Sequence, residues 1–320
     1  MVIPTYNNRK IIGECLTSIF KQEIAPDEFE VIVADGGSSD DTRKIAATLG
    51  ARIVHNPLRS GEAGKAAGLR ESIGELVAFV DSDNILPTKN WLNQMIKPFE
   101  HENILGAEPI EFTYRRQDPI IARYIALIGA CDPLQLYVGN RDRWSWMKGN
   151  WTENNHLLCE DRGSYYLVTL PRNSPIPTIG ANGFVGRRSL LKDFNSEYYF
   201  DIDVVYDLVQ TGMNKVAMVK TGIVHLHANS SGDFVRKAYR RIRDYYMFRK
   251  VRKYPWLTTR RGILKFCLSA IILLPTVRES LLGYRKKPDR AWLFHPLASI
   301  LVLLTYGLAF LRVRRLKEPF

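Results

Sequence analysis

The segment Asp81-Ser82-Asp83 places two carboxylates two positions apart, directly after the apolar run at 76–80. In an extended chain, side chains at positions i and i+2 point to the same side, so we expect the two carboxylates to lie side by side. Adjacent carboxylates repel each other unless a cation lies between them, and oxygen ligands suit Mg²⁺ or Mn²⁺. Because Mg²⁺ often completes its shell with substrate phosphates, the pattern predicts a cation site for a diphosphate. The same residues also suit a turn with one solvated aspartate, and this alternative stays open.

Short apolar runs alternate with helical patterns along the first 80 residues. Strands are predicted at 2–5, 29–34, 51–54 and 76–80, with helices at 11–19, 40–49 and 64–72 between them. This alternation predicts an α/β fold with a mainly parallel sheet flanked by helices. Ligands of such sheets bind beyond the carboxyl ends of the strands. Three polar segments follow these strands and should meet at one edge of the sheet: Thr5-Tyr6-Asn7, Asp35-Gly36-Gly37 and Asp81-Ser82-Asp83.

The first strand is not followed by a glycine-rich phosphate loop. Its continuation, Pro4-Thr5-Tyr6-Asn7-Asn8, matches neither the GxGxxG pattern of dinucleotide-binding proteins nor the GxxxxGK[ST] pattern of P-loop proteins. The sequence therefore argues against a nicotinamide enzyme and against a nucleotide held by glycines at the first helix.

Three segments in this order and spacing resemble the family 2 inverting glycosyltransferases, which have the GT-A fold. These segments are Ile3-Pro4-Thr5-Tyr6-Asn7, Asp35-Gly36-Gly37-Ser38-Ser39-Asp40-Asp41-Thr42 and Val80-Asp81-Ser82-Asp83-Asn84. A fourth, Gly180-Ala181-Asn182-Gly183-Phe184 with Arg187-Arg188, is similar to the glycine-rich segment before the family's catalytic carboxylate. The resemblance covers roughly residues 1–250, and the layout is similar to that of dolichyl- and polyprenyl-phosphate sugar synthases.

The resemblance implies a nucleotide-sugar donor, a UDP- or GDP-sugar, and a divalent cation, Mg²⁺ or Mn²⁺. It assigns the nucleoside to Pro4, Thr5, Tyr6, Asn7 and Asp35. Asp35 would accept a hydrogen bond from the base. The ribose, diphosphate and cation are assigned to Asp81, Ser82 and Asp83, with Asp83 as the firmer metal ligand.

Two further residues are candidates for the phosphate end of the donor. Lys65, in Gly64-Lys65-Ala66-Ala67, could meet a donor phosphate or could be a solvated lysine at a helix start. His225 and His227 flank Leu226 at the end of a predicted strand and should face the same way. His225 is a candidate metal ligand, although a pair of hydrogen-bonded histidines at a strand end is the alternative.

The family's catalytic base is a carboxylate that precedes a helix ending in glycine. Here Tyr199-Phe200-Asp201-Ile202-Asp203 lies upstream of Gly212, which places Asp201 on the base and Asp203 on the following acidic position. Phe200 stands where the family usually has glutamate, and one of the two aspartates could instead be the helix N-cap. Inverting transfer needs a carboxylate that takes the acceptor's proton, but a lipid phosphate acceptor is already largely ionised and needs the base less.

Charge is unevenly distributed along the 320 residues. The net charge of +12 divides into +17 for residues 236–320 and −5 for residues 1–235. Such a basic tail predicts an anionic partner. The 21 uncharged residues at 291–311 are long enough to span a bilayer, while the shorter apolar stretch at 263–277 could lie in the interface. Basic clusters flank both stretches, so a span, a re-entrant hairpin and a packed helical hairpin stay open.

The sequence thus predicts a GT-A catalytic domain at 1–235, with a nucleotide-binding half at 1–107 and an acceptor half at 108–235. A basic amphipathic helix and an apolar membrane-associated region follow at 236–320. The predicted enzyme is an inverting, metal-dependent glycosyltransferase at the cytoplasmic face of the cell membrane. Its acceptor would be a polyprenyl phosphate or a lipid-linked saccharide.

Two alternatives and one exclusion complete the prediction. The chain could use a soluble or protein acceptor, or it could be a non-catalytic, membrane-bound sugar-nucleotide-binding protein. Nucleic acid is disfavoured as a partner because the basic residues are interleaved with long apolar runs. The four cysteines are scattered and no signal peptide is recognised at the start, which favours a reducing compartment.

Overall fold

The computed structural model describes residues 1–154, 156–192, 197–255 and 259–315, with side chains described up to 312. These residues form two compact units. The first unit comprises Met1–Thr113 with His156–His225, and the second comprises Tyr114–Asn155 with Leu226–Phe320. The predicted domain boundary between residues 235 and 236 stays a prediction.

Ten strands of the described residues form one sheet in the first unit. In chain order they are β1 (Val2–Thr5), β2 (Ile32–Asp35), β3 (Arg52–His55), β4 (Leu76–Phe79), β5 (Asn84–Ile85), β6 (Gly106–Phe112), β7 (Leu158–Asp161), β8 (Tyr165–Thr169), β9 (Phe184–Arg187) and β10 (Lys215–His225).

The helices flank this sheet in the first unit and make up most of the second. In chain order they are α1 (Ile12–Phe20), α2 (Thr42–Thr48), α3 (Gly61–Glu71), α4 (Trp91–Ile96), α5 (Pro98–His101), α6 (Ile120–Ile128), α7 (Gln135–Val138), α8 (Arg188–Leu191), α9 (Asp201–Thr211), α10 (Ser231–Phe248), α11 (Arg260–Ile272), α12 (Leu274–Lys286) and α13 (Phe294–Arg315), which a 3-10 turn at Arg290–Leu293 precedes.

The sheet has the strand order β3-β2-β1-β4-β9-β6-β10-β8-β7, and β5 pairs with the end of β10. Strands β1 to β4 pair in parallel with one another, and β6 is parallel to β10. Strand β9 lies antiparallel between β4 and β6, and β7 and β8 are antiparallel at the far edge. The predicted α/β class is therefore confirmed, with the four amino-terminal strands parallel as expected.

Register aligns the carboxyl ends of the first strands. Thr5 lies opposite Asp35, and Asp35 lies opposite His55. These ends project from a buried core because the side chains of β1, β2 and β4 are almost wholly apolar and inaccessible. The polar segments after the strands therefore lie at one edge, as the alternation of strands and helices predicts.

Helix α3 packs closely on β1 because two of its residues lack a side chain. A Cβ on Gly68 would lie 2.3 Å from Cγ1 of Val2, and one on Gly64 would lie 2.8 Å from Cβ of Pro4. Only glycine permits this approach without a clash. The helix begins where Oγ of Ser60 accepts a hydrogen bond from the backbone N–H of Ala63 at 3.0 Å. Lys65, next to Gly64, is thereby buried.

The second unit is helical. Helix α10 is the predicted basic amphipathic helix, and residues Arg290–Arg312 form a helix long and apolar enough to cross a membrane, with a mean hydropathy of 1.8. Helices α11 and α12 pass the same test only as a pair, and they meet at an angle of 93°. Length and composition alone therefore leave both a span and a re-entrant arrangement possible.

Candidate active site

The segment Asp81-Ser82-Asp83, here called the diaspartate turn, does not continue the strand. The backbone N–H of Asn84 donates to the carbonyl oxygen of Asp81 at 2.8 Å, and the N–H of Asp81 donates to Oδ1 of Asn84 at 3.0 Å. The prediction of an extended chain here is wrong, because the buried side chain of Asn84 caps a reversal of the backbone. The alternative of a turn is the one found, and both aspartates stay partly accessible at the sheet edge.

Strand pairing brings Asp83 to His225. Strand β5 runs antiparallel to the end of β10, with Asn84 opposite His225. Nε2 of His225 lies 3.6 Å from Oδ1 of Asp83. The strand ends at His225, so His227 lies just beyond it, and a metal-binding role for His225 stays a prediction.

The atoms of Asp83 and His225 fit a divalent cation. Ligands of one octahedral ion at about 2.1 Å lie about 3 Å apart, so atoms 3.6 Å apart enter one shell after a small movement. Asp81 supplies a further carboxylate from the same turn. The carboxylate of Asp83 and the imidazole of His225 are ligand types that suit a cation which also binds phosphate oxygens.

Lys65 is buried and paired with two carboxylates. Its ammonium forms an ion pair with Oδ2 of Asp201 and lies 3.6 Å from Oδ1 of Asp81. Burial lowers the pKa of Lys65, but the carboxylates of Asp201 and Asp81 outweigh it and raise the pKa above its ordinary value. Lys65 therefore stays charged near neutral pH, and the alternative of a solvated lysine at a helix start is wrong.

The two candidate bases lie in the first turn of α9. Asp201 is the first residue of the helix and Phe200 the N-cap, so neither Asp201 nor Asp203 caps the helix. Oδ1 of Asp201 accepts a hydrogen bond from the backbone N–H of Ile202 at 3.1 Å. Asp203 is buried, whereas Asp201 is partly exposed. The helix ends at Gly212, whose φ of 110° is the left-handed conformation that glycine favours.

The glycine-rich segment packs directly behind α9. Gly180 has a φ of 132°, and a Cβ there would lie 2.9 Å from the carbonyl oxygen of Asp201. The N–H of Gly180 donates to Oε2 of Glu108 at 2.6 Å, which anchors the segment to β6. Oδ1 of Asn182 accepts a hydrogen bond from Nδ2 of Asn84 at 3.4 Å. The segment thus connects the start of α9 to the diaspartate turn.

Asp35 organises the loop after β2. Its Oδ2 accepts hydrogen bonds from the N–H groups of Gly37 and Ser38 at 3.0 and 2.9 Å, and its Oδ1 accepts one from Oγ of Ser38 at 2.5 Å. Nε of Arg43 lies 3.8 Å from the same carboxylate. Asp35 is therefore a turn-capping residue in this structure, and its contact with a base stays a prediction.

The other predicted nucleoside contacts surround this loop. Pro4 is buried, and Oγ1 of Thr5 is buried with no hydrogen-bond partner among the described residues. The ring of Tyr6 is about half exposed. Asn7 has a φ of 47°, and its Oδ1 accepts a hydrogen bond from the N–H of Ser39 at 2.9 Å. The loops after β1 and β2 are thus joined, and the aromatic ring of Tyr6 is accessible at their surface.

Asn8 and Cys15 complete the site and were not among the predicted residues. Nδ2 of Asn8 donates to the carbonyl oxygen and to Oγ of Ser82, at 3.0 and 2.9 Å. Cys15 is buried under the turn, and burial together with the charges of Asp83 and Asp81 raises the pKa of its thiol. The sequence signal for Asn8 was its place beside Asn7 in the first loop, whereas nothing in the sequence marks Cys15.

A sequence profile described as "Glycosyl transferase family 2" matches residues 1–116 of this chain. The match contains the strands β1 to β6 with Asp35, Lys65 and the diaspartate turn. Asp201 and His225 lie outside it.

Two curated relatives are similar to part of the chain. "Glycosyltransferase AglE" of Haloferax volcanii is 28% identical over 131 residues, which are 39% of this chain and 43% of that protein. "Poly(ribitol-phosphate) beta-N-acetylglucosaminyltransferase TarS" of Staphylococcus aureus is 38% identical over 92 residues, which are 27% of this chain and 16% of that protein. The chain therefore spans less than half the length of either relative.

A solved structure shares the fold over most of both chains. Glucosyl-3-phosphoglycerate synthase from Mycobacterium tuberculosis, in complex with Mn²⁺ and uridine-diphosphate-glucose, superposes with a TM-score of 0.50 at 19% identity. The match covers 79% of this chain and 78% of that chain. The predicted fold class is confirmed by this similarity.

Proposed function

We propose that this chain, whose residues 1–116 match the family 2 glycosyltransferase profile and whose fold is shared with a nucleotide-sugar enzyme, transfers a sugar from a nucleotide-sugar donor to a membrane acceptor with inversion. The donor is a UDP- or GDP-sugar, and the acceptor is a polyprenyl phosphate or a lipid-linked saccharide. The reaction takes place at the cytoplasmic face of the cell membrane. One arrangement carries the proposal: a carboxylate–imidazole pair, Asp83 with His225, next to a carboxylate–ammonium pair, Asp201 with Lys65.

Asp83, His225 and Asp81 would hold a divalent cation, Mg²⁺ or Mn²⁺. When bound, such a cation offsets the negative charge that grows on the leaving diphosphate. The structural neighbour solved with Mn²⁺ and UDP-glucose supports this choice. The chain itself contributes two carboxylates and one imidazole at the edge where the parallel strands end.

Lys65 supplies a second positive charge to the same edge. Its ammonium is buried, charged and 3.6 Å from Asp81, so a diphosphate at the diaspartate turn would meet a fixed cation supplied by the protein. Because the ammonium also pairs with Asp201, Lys65 fixes the side chain of the proposed base relative to the turn. We therefore assign Lys65 to both donor binding and the positioning of Asp201.

The nucleoside would occupy the loops after β1 and β2. The half-exposed ring of Tyr6 offers a surface for stacking, and Thr5 precedes it at the end of β1. Pro4, Asn7 and Asp35 shape these loops through the contacts described above. Ser82, held by Asn8, lies between the nucleoside loops and the cation site.

Asp201 is the proposed general base. It lies at the amino-terminal end of α9, is partly exposed, and is held by Lys65 and by the backbone of Ile202. With a hydroxyl acceptor, Oδ1 or Oδ2 takes the proton as the new bond forms. With a lipid phosphate acceptor, which is already ionised, Asp201 orients the attacking oxygen instead. Asp203 is the second choice because it is buried.

A donor screen against membrane lipid extracts tests this proposal. The full chain is incubated with radiolabelled UDP- and GDP-sugars, lipid extract and Mn²⁺, and the label is measured in the organic phase. We expect label from one donor to enter the organic phase with the wild type and not with Asp83→Ala. Label that enters only a soluble or protein acceptor would contradict the lipid acceptor. Donor binding without release of nucleoside diphosphate in any mixture would contradict catalysis.

A further inference from the structure

Helices α11 and α12 form a sharp corner whose outer side is apolar. Residues 268–277, here called the elbow, contain the 93° bend between the two helices. The residue at the corner, Leu273, has a φ of 65° and a ψ of −36°, a conformation that L-residues rarely adopt. The following Pro275 lies in the first turn of α12, where proline is tolerated. The backbone conformation of Leu273 and the position of Pro275 thus both fit a defined bend between the two helices.

The apolar side chains of the elbow point away from the protein. Ile271, Ile272 and Leu274 are exposed by 68%, 60% and 73%. Helix α13, which packs against both helices of the elbow, adds a second exposed apolar row. The remaining large hydrophobic residues exposed on the elbow and these three helices are Leu264, Leu268, Leu273, Val277, Leu281, Leu282, Tyr284, Leu297, Leu304, Leu308, Phe310 and Leu311. An exposed apolar surface that extends over three helices marks a site of interaction with another molecule or with a membrane.

Charge complementarity identifies the partner of this surface. Residues 259–315 contain two carboxylates, and the protein itself engages both. Glu279 accepts a hydrogen bond from the hydroxyl of Tyr137 at 2.7 Å and pairs with His295 at 3.0 Å, and Asp289 pairs with Arg123 at 3.4 Å. The exposed charges of α11, α12 and the 3-10 turn are all positive: Arg260, Arg261, Lys265, Arg278, Arg285, Lys286 and Arg290. An apolar face bordered by cations fits a bilayer of anionic phospholipids.

The inner face of α13 argues against a membrane span. His295 and Ser299 are fully buried on this face, and Nδ1 of His295 is 2.7 Å from the hydroxyl of Tyr124 on α6. Further along, the hydroxyl of Tyr306 donates to Oδ2 of Asp132 at 2.7 Å and accepts from Nη1 of Arg241 on α10 at 3.1 Å. Helix α10 packs along α13 and carries the basic side chains of Arg236, Arg240 and Arg243. A bilayer that surrounded α13 would therefore also surround the basic side chains of α10, which is energetically costly.

We infer that the second unit inserts the elbow and the outer face of α13 into one leaflet of an anionic phospholipid bilayer, and that none of its described helices crosses the bilayer. This inference rests on the membrane location proposed above and does not depend on glycosyl transfer. The elbow and the outer face of α13 lie in the interfacial plane. Their cations are at the headgroups, and their leucine and isoleucine side chains are among the acyl chains.

Vesicle flotation of the full chain tests the lipid partner. We expect the wild type to float with vesicles that contain phosphatidylglycerol, and at least tenfold less with vesicles of phosphatidylcholine alone. Ile271→Ser/Leu274→Ser should lose flotation. The matched control, Ile73→Ser/Leu158→Ser, changes residues that are equally exposed, at 79% and 70%, in the first unit and should float like the wild type. Arg260→Gln/Arg261→Gln/Lys265→Gln should lose the preference for the anionic lipid.

Side-specific labelling tests the absence of a span. Arg290→Cys and Arg312→Cys place a thiol at either end of the apolar helix. In sealed membrane vesicles, a membrane-impermeant maleimide should label both positions from the same side, above the background of the unaltered chain. Labelling from opposite sides would overturn the inference and leave the membrane location intact. Equal flotation of the elbow variant and the wild type would also overturn it.

Release of nucleoside diphosphate in detergent separates this inference from the proposed function. The elbow variant should keep wild-type release in detergent, because its substitutions lie outside the proposed active site. Flotation that depends on the elbow, in a chain that releases no diphosphate, would support the inference and contradict the proposed function. Loss of both flotation and diphosphate release in the elbow variant would show that these side chains are needed for the fold rather than for membrane contact. That result would contradict the inference.

Discussion

Lys65 on α3 forms an ion pair with Asp201, the first residue of α9, across a separation of 136 residues in the chain. The same ammonium lies 3.6 Å from Asp81 in the diaspartate turn. A single buried cation thus fixes the proposed base and one proposed metal ligand relative to each other. This relationship joins the donor half of the site to the helix that provides the base.

Replacing Lys65 by methionine should lower both activity and stability. The apolar side chain of similar length leaves Asp201 and Asp81 without their shared cation, which costs about 3 kcal/mol when a largely buried ion pair is broken. We expect Lys65→Met to lower kcat/KM for the donor at least about tenfold, and Lys65→Arg to retain part of it. Thermal unfolding and donor kinetics measure the two effects.

The stability lost in Lys65→Met should not change between pH 6 and 9. The carboxylates outweigh the effect of burial and raise the pKa of Lys65, so its contribution is complete below the ordinary value of 10.5 and is lost only as the pH rises through the folded value. A difference in unfolding free energy that decreases steadily from pH 6 to 9 would show that Lys65 titrates there, contrary to this account.

Replacing Asp83 by alanine should abolish metal-dependent turnover. The substitution removes the carboxylate that lies 3.6 Å from His225, and we expect the metal-stimulated release of nucleoside diphosphate to fall about 100-fold or more. Asp161→Ala is the control, because Asp161 pairs with Lys220 at an exposed position on β7. Full Mn²⁺ stimulation in Asp83→Ala would reject Asp83 as a metal ligand.

The two candidate bases can be separated by amide substitution. Asp201→Asn keeps the shape of the side chain but removes the basic oxygen, so turnover on a hydroxyl acceptor should fall about 100-fold while the KM of the donor changes little. Asp203→Asn should alter turnover much less, since Asp203 is buried. Normal turnover of Asp201→Asn with loss in Asp203→Asn would reverse the assignment.

Glycines of α3 should be needed for the position of Lys65. Gly64→Ala and Gly68→Ala introduce a Cβ that meets β1 at 2.8 and 2.3 Å, which should destabilise the fold by about 1–3 kcal/mol. Gly61→Ala is the matched control in the same helix, where a Cβ meets nothing within 4 Å and alanine favours the helix by up to about 1 kcal/mol. Chemical denaturation compares the three variants. Equal stability of Gly68→Ala and Gly61→Ala would contradict the close packing of α3 on β1.

The sequence predicts the sheet edge well because the signals there are local. The predicted strands end at residues 5, 34 and 80, within one residue of the observed ends at Thr5, Asp35 and Phe79, and parallel pairing aligns those ends. The start of α9 near Asp201 and its end at Gly212 were expected from the resemblance to the family, and the structure has the helix between them. The strand ends depend on hydrophobic periodicity, which is a local property of the sequence.

The remaining contacts of the site depend on pairings that no local pattern encodes. The diaspartate turn forms because Asn84 is buried opposite His225 on β10, a strand that begins more than 130 residues later. The partner of Lys65 is equally remote. Likewise, composition alone shows that 291–311 is apolar, whereas the burial of His295 and Ser299 against other helices becomes visible only in the packed second unit.

Titration calorimetry of nucleoside diphosphates tests the central claim, that a cation at the diaspartate turn holds the diphosphate of the donor. UDP and GDP are titrated into the full chain with Mn²⁺, with EDTA, and into Asp83→Ala with Mn²⁺. The account predicts that one of the two nucleotides binds with Mn²⁺, and that its affinity falls at least tenfold with EDTA and in Asp83→Ala. The same affinity in all three titrations, or no binding of either nucleotide, would contradict it.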